Sequence, residues 1–417
     1  MAGLPQVVIV GGGFAGLAAA KRLRNVACDV TIVDRHNHHV FQPLLYQVAT
    51  AGLSPGDIAS PIRWIFRRQP RLRVLLANVE RIDSAAKRIS LDGGDTLSYD
   101  FLIVAAGATH SYFGHDEWSA VAPGLKTLDD ALAIRRRLLL AFEEAEREPN
   151  PVCQRRLLTF VIIGGGPTGV ELAGALGEIA RQALRLEFDA VDPASARIIL
   201  IEAKPSILPS FPDDLRESAR RALVRLGVTV RVGRRVTKVE TGAVWIGDER
   251  IEAHTVLWAA GVASAPLSRD LGPTLDRAGR VIVEADLSVP GHPGVFVAGD
   301  LASFSHQTGS PLPGVAQVAK QGGRHAAANI ARLIAGGRTQ PFRYIDPGNM
   351  ATIGRHAAIA DFGFLRVSGY LGWLLWLFVH ITFLIGFRNR LSVMLQWAAA
   401  YVTFQRSVRL ITRNPPG

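Results

Sequence analysis

The sequence predicts an α/β protein, and three of its features say why. Twice in 417 residues a short β-branched run leads into GxGxxG and then into a helix-compatible stretch. The end of the chain differs: its last 56 residues hold no Asp or Glu, six Arg, three of the seven Trp and two long uncharged runs. The duplicated pattern predicts two Rossmann-like dinucleotide-binding domains, and the tail predicts C-terminal amphipathic helices that anchor to a membrane surface.

At roughly 100 to 200 residues per domain, a chain of this length holds two or three domains and a sizeable core, too much for a simple binding module. Its 48% hydrophobic content excludes intrinsic disorder, and 41 Gly without a three-residue period exclude a collagen-like repeat. Lys and Arg outnumber Asp and Glu by 47 to 36, and the net charge of +11 invites nucleic acid or an anionic membrane as partner. Position separates the two. Arg366, Arg388, Arg390, Arg406, Arg409 and Arg413 place +6 in the tail and leave the first 361 residues only mildly basic. That charge coincides with Trp373, Trp376, Trp397 and apolar runs, which favours a membrane interface and argues against nucleic acid. Cys28 and Cys153 stand alone, without CxxC or zinc spacing, so no metal site is expected and a reducing compartment fits. The stretch from Met1 to Gln6 lacks the basic and apolar regions of a signal peptide, so the body is expected in the cytoplasm.

The run Val7 to Val10 suits a strand buried on both faces, and Leu17 to Leu23 suits the helix after it. Between them, Gly11 makes the tight turn, Gly13 lets backbone approach a pyrophosphate, and Gly16 lets helix pack on strand. The helix N-terminus offers its amides to the phosphates. A second strand, Val30 to Val33, ends at Asp34, 18 residues after Gly16 and placed to bond a ribose. The pattern recurs as Phe160 to Ile163, then Gly164, Gly166 and Gly169, a helical stretch from Val170 to about Leu186, and Ile198 to Ile201 ending at Glu202. Here the acid lies 33 residues after the last glycine, which implies an extended helix and a loop around Asp189 to Ala194. Ala203 and Lys204 follow Glu202 with no arginine cluster, so a 2′-hydroxyl is favoured over a 2′-phosphate, and NADH over NADPH. Three further strand-like runs lead into glycine: Tyr99 to Gly107, Thr255 to Val262 with Gly261, and Val295 to Gly299 with Asp300 placed for a ribityl hydroxyl.

These residues resemble the two-dinucleotide-binding-domain flavoproteins, and among them the type II NADH dehydrogenases, non-proton-pumping NADH:quinone oxidoreductases. The resemblance covers essentially the whole chain. It implies FAD at Gly11, Gly12, Gly13, Phe14, Ala15, Gly16, Asp34, Arg35, Gly107, Asp300, Ala316 and Gln317, and NADH at Gly164, Gly166, Gly169, Glu171, Glu202 and Gly261. Ala316 to Gln321 is similar to the family's AQxxxQ quinone-site signature. Gln317 and Gln321 fall on one helical face, where both amides can serve a quinone carbonyl and the flavin edge. Glu171 has a plain reading as a first-turn acid favoured by the helix dipole; the resemblance places it beside nicotinamide and flavin. Phe41 to Thr50 looks like the family's flavin-proximal stretch, and the His36, His38, His39 cluster reads as a polar loop beside the FAD adenosine, without metal. Disulfide reductases and sulfide:quinone oxidoreductases fit poorly, because their cysteines are missing here.

The expected division is 1–115 for the first part of an FAD domain, 116–265 for an NADH domain, 266–335 for the second FAD part with the quinone motif, and 336–417 for the membrane-anchoring region. In the tail, Val367 to Phe387 gives 21 uncharged residues, about 31 Å of helix and long enough to span a bilayer. A single span would put the tail arginines and the NADH site on opposite sides, against the positive-inside rule. Two interfacial helices joined at Phe387 to Arg390 are therefore expected, with Arg406, Arg409 and Arg413 forming a cationic face, on the cytoplasmic side of the cell membrane. The expected activity is hydride transfer from NADH to FAD and two-electron reduction of a membrane quinone. The alternative is a soluble NAD(P)H-dependent reductase of a small redox protein such as a ferredoxin, and a homodimer stays open.

Overall fold

The structure is a computed structural model that describes residues 3–185, 187–272, 274–403 and 408–411. The chain falls into two compact units, each assembled from separated segments.

The first unit comprises 1–39, 60–109 and 262–347. Its centre is the strand Gln6–Val10, parallel to Asp29–Asp34 on one side and Phe101–Val104 on the other. Leu72–Leu76 extends the sheet past Asp29–Asp34, and His292–Val297 extends it past Phe101–Val104. Ile9 stands in register with Ile32 and Ile103, and all three are fully buried, as apolar runs covered on both faces must be. The helices Phe14–Arg22 and Ala316–Ile334 pack tightly on one another. Their closeness explains the alanines and glycines in both: Ala15, Ala105, Ala298 and Ala319 form one cluster, and a Cβ on Gly323 would collide with the Ala15 backbone.

The second unit comprises 40–59, 110–261 and 348–417. Its parallel sheet runs in the order Val228–Arg231, Arg197–Ile201, Thr159–Ile163, Thr255–Trp258. The helix Pro167–Glu178 is shorter than expected; it continues as a π-helical turn, Ile179–Ala183, and the chain returns to the sheet at Arg197.

The two units are divided differently from the expected domains. The first nucleotide segment leaves its unit at 40 for a 20-residue excursion that carries the helices Leu45–Ala49 and Pro55–Ile58. Residues 336–347 stay with the first unit, and the tail proper begins at 348. The tail opens with an antiparallel sheet, Asn349–Thr352, Ala358–Asp361 and Arg366–Ser368, before its helices Gly369–Phe383 and Phe387–Thr403. The uncharged run is thus divided: Val367 lies in a strand, the first helix stops at Phe383, and Gly386 has φ +90° in the turn before the next. Fifteen residues reach only about 22 Å. Among the described residues no helix is long and apolar enough to cross a membrane.

Of the expected cationic face, Arg409 lies among the described residues. Arg409 is ion-paired with Glu187 and donates to the Ala183 carbonyl at 2.7 Å. Arg406 and Arg413 fall outside the described residues.

The tail is tied to the excursion by polar side chains. Asp57, almost buried, accepts from Ser392 Oγ at 3.0 Å and Gln396 Nε2 at 3.1 Å, while Trp397 Nε1 donates to Gln47 Oε1 at 2.8 Å. The His380 ring stacks on Trp376 and meets Phe41 edge-on.

Because Gly323 faces backbone rather than a flexible side chain, Gly323→Ala should destabilise the protein by about 1–3 kcal/mol. Thermal unfolding of the variant beside Gly322→Ala, where the added methyl meets only ordinary contacts, measures it.

Candidate functional site

In the first glycine loop the backbone itself dictates the residue types. Gly11 has φ +101° and faces the Ala105 carbonyl, and a Cβ on Gly16 would fall on the Gly11 carbonyl oxygen. A Cβ on Gly13 would point into open space in front of the helix Phe14–Arg22, whose N-terminus has no side-chain cap. Uncapped amides beside an open approach suit a pyrophosphate.

Asp34 closes this loop. Its Oδ2 accepts the Gly12 N–H at 2.5 Å and its Oδ1 the His36 N–H at 2.7 Å. Burial raises its pKa, but the His36 side chain and the Gly12 and His36 amides outweigh that, so the carboxyl sits below its ordinary value. His39, buried, donates from Nδ1 to the Gly12 carbonyl at 3.1 Å; burial pushes its pKa down to about 4, so the ring is neutral. Its Nε2 has no partner among the described atoms.

The second loop repeats the circuit. Gly164 has φ +111°, a Cβ on Gly169 would meet the Gly164 carbonyl, and Gly166 opens onto free space at an uncapped helix start. Glu202 Oε2 accepts the Gly165 N–H at 2.6 Å and Oε1 the Lys204 N–H at 2.8 Å. The longer interval to this acid is therefore taken up by the π-helical turn and the loop before Arg197; the carboxylate reaches the same amide as in the first loop.

The remaining first-unit residues approach in two groups. The Gly299–Asp300 turn sits against Ala15 and Ala319, and Gly314, just before Ala316 and Gln317, lies against the Asp300 carboxylate. Lys320 Nζ stands 5.5 Å above the Phe14 ring. Gly107, with φ +71°, follows the strand Phe101–Val104, and Arg35 is exposed beside Asp34.

The two glutamines of the AQxxxQ motif differ in their surroundings. Gln321 donates from Nε2 to the Ile345 carbonyl at 2.8 Å and accepts the Ile345 N–H at Oε1, so its amide is held at both ends by the backbone of its own unit. Gln317, one turn earlier on the helix Ala316–Ile334, is half-buried.

In the second unit, Glu171, Gly174 and Glu178 share one face of the helix Pro167–Glu178 and pack on the tail sheet. The Thr352 N–H bonds Glu171, Gly174 approaches Gly354 closely, and Glu178 accepts the Arg355 N–H with the guanidinium 3.9 Å away. Desolvation of the half-buried Glu171 pushes its pKa up to about 8, only partly opposed by the Thr352 amide. The side chain is thus largely protonated at neutral pH. At the end of Thr255–Trp258, Gly261 lies under the ring of Phe113, an exposed aromatic with φ +54°. Such a conformation is costly for a bulky residue. Trp258 Nε1 helps hold it by donating to the Ser111 carbonyl, and Ser111 N–H donates to the Gly261 carbonyl. Phe113, Thr352 and Asp57 carry no short motif; the Phe113–Gly114 pair after a strand end was the one sequence signal for any of them.

Comparison with known proteins gives two family models: Pyridine nucleotide-disulphide oxidoreductase over residues 5–323 and NDH2 C-terminal domain over residues 347–406. The chain is 44% identical over 422 residues to the type II NADH:quinone oxidoreductase Ndh of Mycobacterium tuberculosis, covering 98% of this chain and 90% of that protein. It is 44% identical over 427 residues to NdhA of the same organism, at the same coverage. In fold it is similar to NDH2 from Plasmodium falciparum solved in complex with NADH, with a TM-score of 0.88 at 19% identity over 98% of this chain and 100% of that one.

The Glu171 shift has a testable sign. Its pKa is higher in the folded protein than the ordinary 4.5, so the stability it allows is full below about 4.5 and lost as pH rises through about 8. Glu171→Gln should remove that dependence, on the order of 4 kcal/mol between pH 5 and 9. Parallel urea titrations of both proteins across that range give the difference, and parallel curves would contradict the assignment.

Proposed function

Because the chain belongs to the pyridine nucleotide-disulphide oxidoreductase family and to its NDH2 branch, we infer that it is a type II NADH:quinone oxidoreductase that uses FAD. The structural observation that supports this reading most is the duplicated circuit, in which a strand-end carboxylate closes a glycine loop at Asp34 and again at Glu202. One chain with two such cradles can hold a resident dinucleotide and exchange another. A soluble reductase of a small redox protein would have no use for an NDH2 C-terminal domain, which the chain carries.

FAD, when bound, would supply a two-electron carrier between NADH and the quinone. The residues fit it: Gly13 leaves the opening for the pyrophosphate, the first-turn amides of Phe14–Arg22 face it, and Asp34 keeps lone pairs for a ribose beyond those taken by Gly12 and His36. Asp300 and the start of Ala316–Ile334 supply a carboxylate and a positive helix end for the ribityl and ring portions. On the other unit, Gly166 and Glu202 hold NADH, and the carboxylate of Glu202 disfavours a 2′-phosphate by charge. Glu171 holds a proton at neutral pH, so it presents a neutral hydrogen-bonding group to the nicotinamide end and avoids a buried anion there. Gln317 supplies an amide to the quinone, and Gln321 positions the 345 segment beside it.

The tail helices bind the membrane in its interfacial plane, on the side that holds NADH. On the first, Leu371, Leu374 and Phe378 are exposed at helical spacing; on the second, Leu391, Met394 and Leu395 are. Phe364, in the loop before them, is 91% exposed, which water alone does not favour.

Gln317→Ala should slow reoxidation of the reduced enzyme by a quinone about tenfold or more, one to two hydrogen bonds' worth, and leave reduction by NADH nearly unchanged. Equal losses in both half-reactions would remove Gln317 from the quinone site. Glu202→Ala should raise the KM for NADH about tenfold and narrow the preference over NADPH; steady-state kinetics with both nucleotides decide, and an unchanged preference would mean that another group reads the ribose.

A further inference from the structure

The charge of the chain is confined more sharply than the tail explains. Of the net +11, six charges belong to 362–417 and five to Arg63, Arg67, Arg68, Arg71 and Arg73, because no Asp or Glu occurs between Asp57 and Glu80; the remainder sums to zero. The five arginines are exposed. Among the described residues none of them lies within ion-pair distance of a carboxylate, whereas Arg216, Arg231, Arg280 and Arg409 each hold one.

Local packing creates the arrangement. Ile62 and Phe66 are buried, at 0% and 5% exposure, and fix the short helix Ile62–Ile65 against the first unit. The residues between and after them turn outward. Trp64 is 48% exposed, and Arg67 lies over its ring with Cζ 4.3 Å from the centroid while Nη1 donates to the Trp64 carbonyl at 2.9 Å. An exposed indole capped by a guanidinium is amphipathic: the ring accepts an apolar surrounding and the cation an anion.

We propose that the Arg63–Arg73 face, with Trp64 at its centre, is a second membrane contact that binds anionic lipid headgroups. Tryptophan belongs at the level of the headgroups, and each arginine near an anionic surface adds attraction within a Debye length. The choice of a lipid partner rests on the membrane reading of the tail. Two observations connect them. Asp57 is held by Ser392 and Gln396 of the helix that exposes Leu391, Met394 and Leu395. Arg63 follows Asp57 by six residues, a chain length of at most about 21 Å. The tail then supplies apolar insertion and this face supplies charge, the two signals that stable anchoring requires.

The test uses the full-length, FAD-loaded protein and co-sedimentation with vesicles of phosphatidylcholine, with or without phosphatidylglycerol. The triple variant Arg63→Gln, Arg67→Gln, Arg68→Gln should lose about 10- to 100-fold in partitioning onto the anionic vesicles and little on the neutral ones. Its oxidation of NADH by a water-soluble quinone and its melting temperature should match the parent. A second full-length variant, Leu371→Gln, Phe378→Gln, Leu395→Gln, should lose binding to both vesicle types. If the arginine variant binds anionic vesicles like the parent while the tail variant loses them, the face is not a lipid contact and the tail reading stands. If the tail variant binds both vesicle types undiminished, the membrane reading itself fails. Parent-like vesicle binding combined with lost retention on an acidic-protein or nucleic-acid column would assign the face to that other partner and overturn the proposal.

Discussion

A carboxylate at the end of a buried strand, bonded to the amide of the residue between the first two glycines of GxGxxG, sets the geometry of both glycine loops. Asp34 and Glu202 each accept two backbone N–H groups, one from the loop and one from the chain just ahead. These bonds fix the loop against its neighbouring strand and leave the second motif glycine, Gly13 or Gly166, facing open space. They also settle why the acid must sit where it does regardless of sequence interval. A helix and loop of any length are acceptable between glycines and acid, provided that the second strand returns in parallel register beside the first.

The tail extends the same logic. Its sheet lies along the Glu171, Gly174, Glu178 face of the second glycine-loop helix, where small residues permit close approach and the two acids find backbone donors. Its helices close on the 40–59 excursion through the Asp57 cluster and the Gln47–Trp397 bond. A buried carboxylate is costly unless its oxygens are satisfied, and Asp57 is satisfied only with that helix in place: Ser392 and Gln396 donate to it on one side, and the Ser54 amide on the other. The tail is therefore part of the second unit's core, with only its outward stripes left apolar.

Much of this was legible in the residues. Strands such as Val7 to Val10 are continuous apolar runs, and glycines at φ near +100° tolerate no other side chain, so both motifs declare themselves. Less visible were features that arise from distant pairings. Nothing near Gln321 announces Ile345, whose backbone takes the amide that the motif alone would assign to a ligand. Arg409 looked like one corner of a cationic stripe until Glu187, far off in sequence, took its charge. Phe113 shows no periodicity, because its strained backbone is imposed by the Trp258, Ser111 and Gly261 contacts. The arginines of 63–73 were hidden by averaging over a long body whose other charges cancel.

The central claim is that one chain moves a hydride from one bound nucleotide, NADH, to another, FAD, and delivers the electrons from that second nucleotide to a quinone. Stopped-flow absorbance of the purified FAD-loaded protein tests it directly: NADH in the first mix should bleach the flavin band, and a quinone in the second should restore it without oxygen. Failure of NADH to bleach the band, or of a quinone to restore it, would contradict the account.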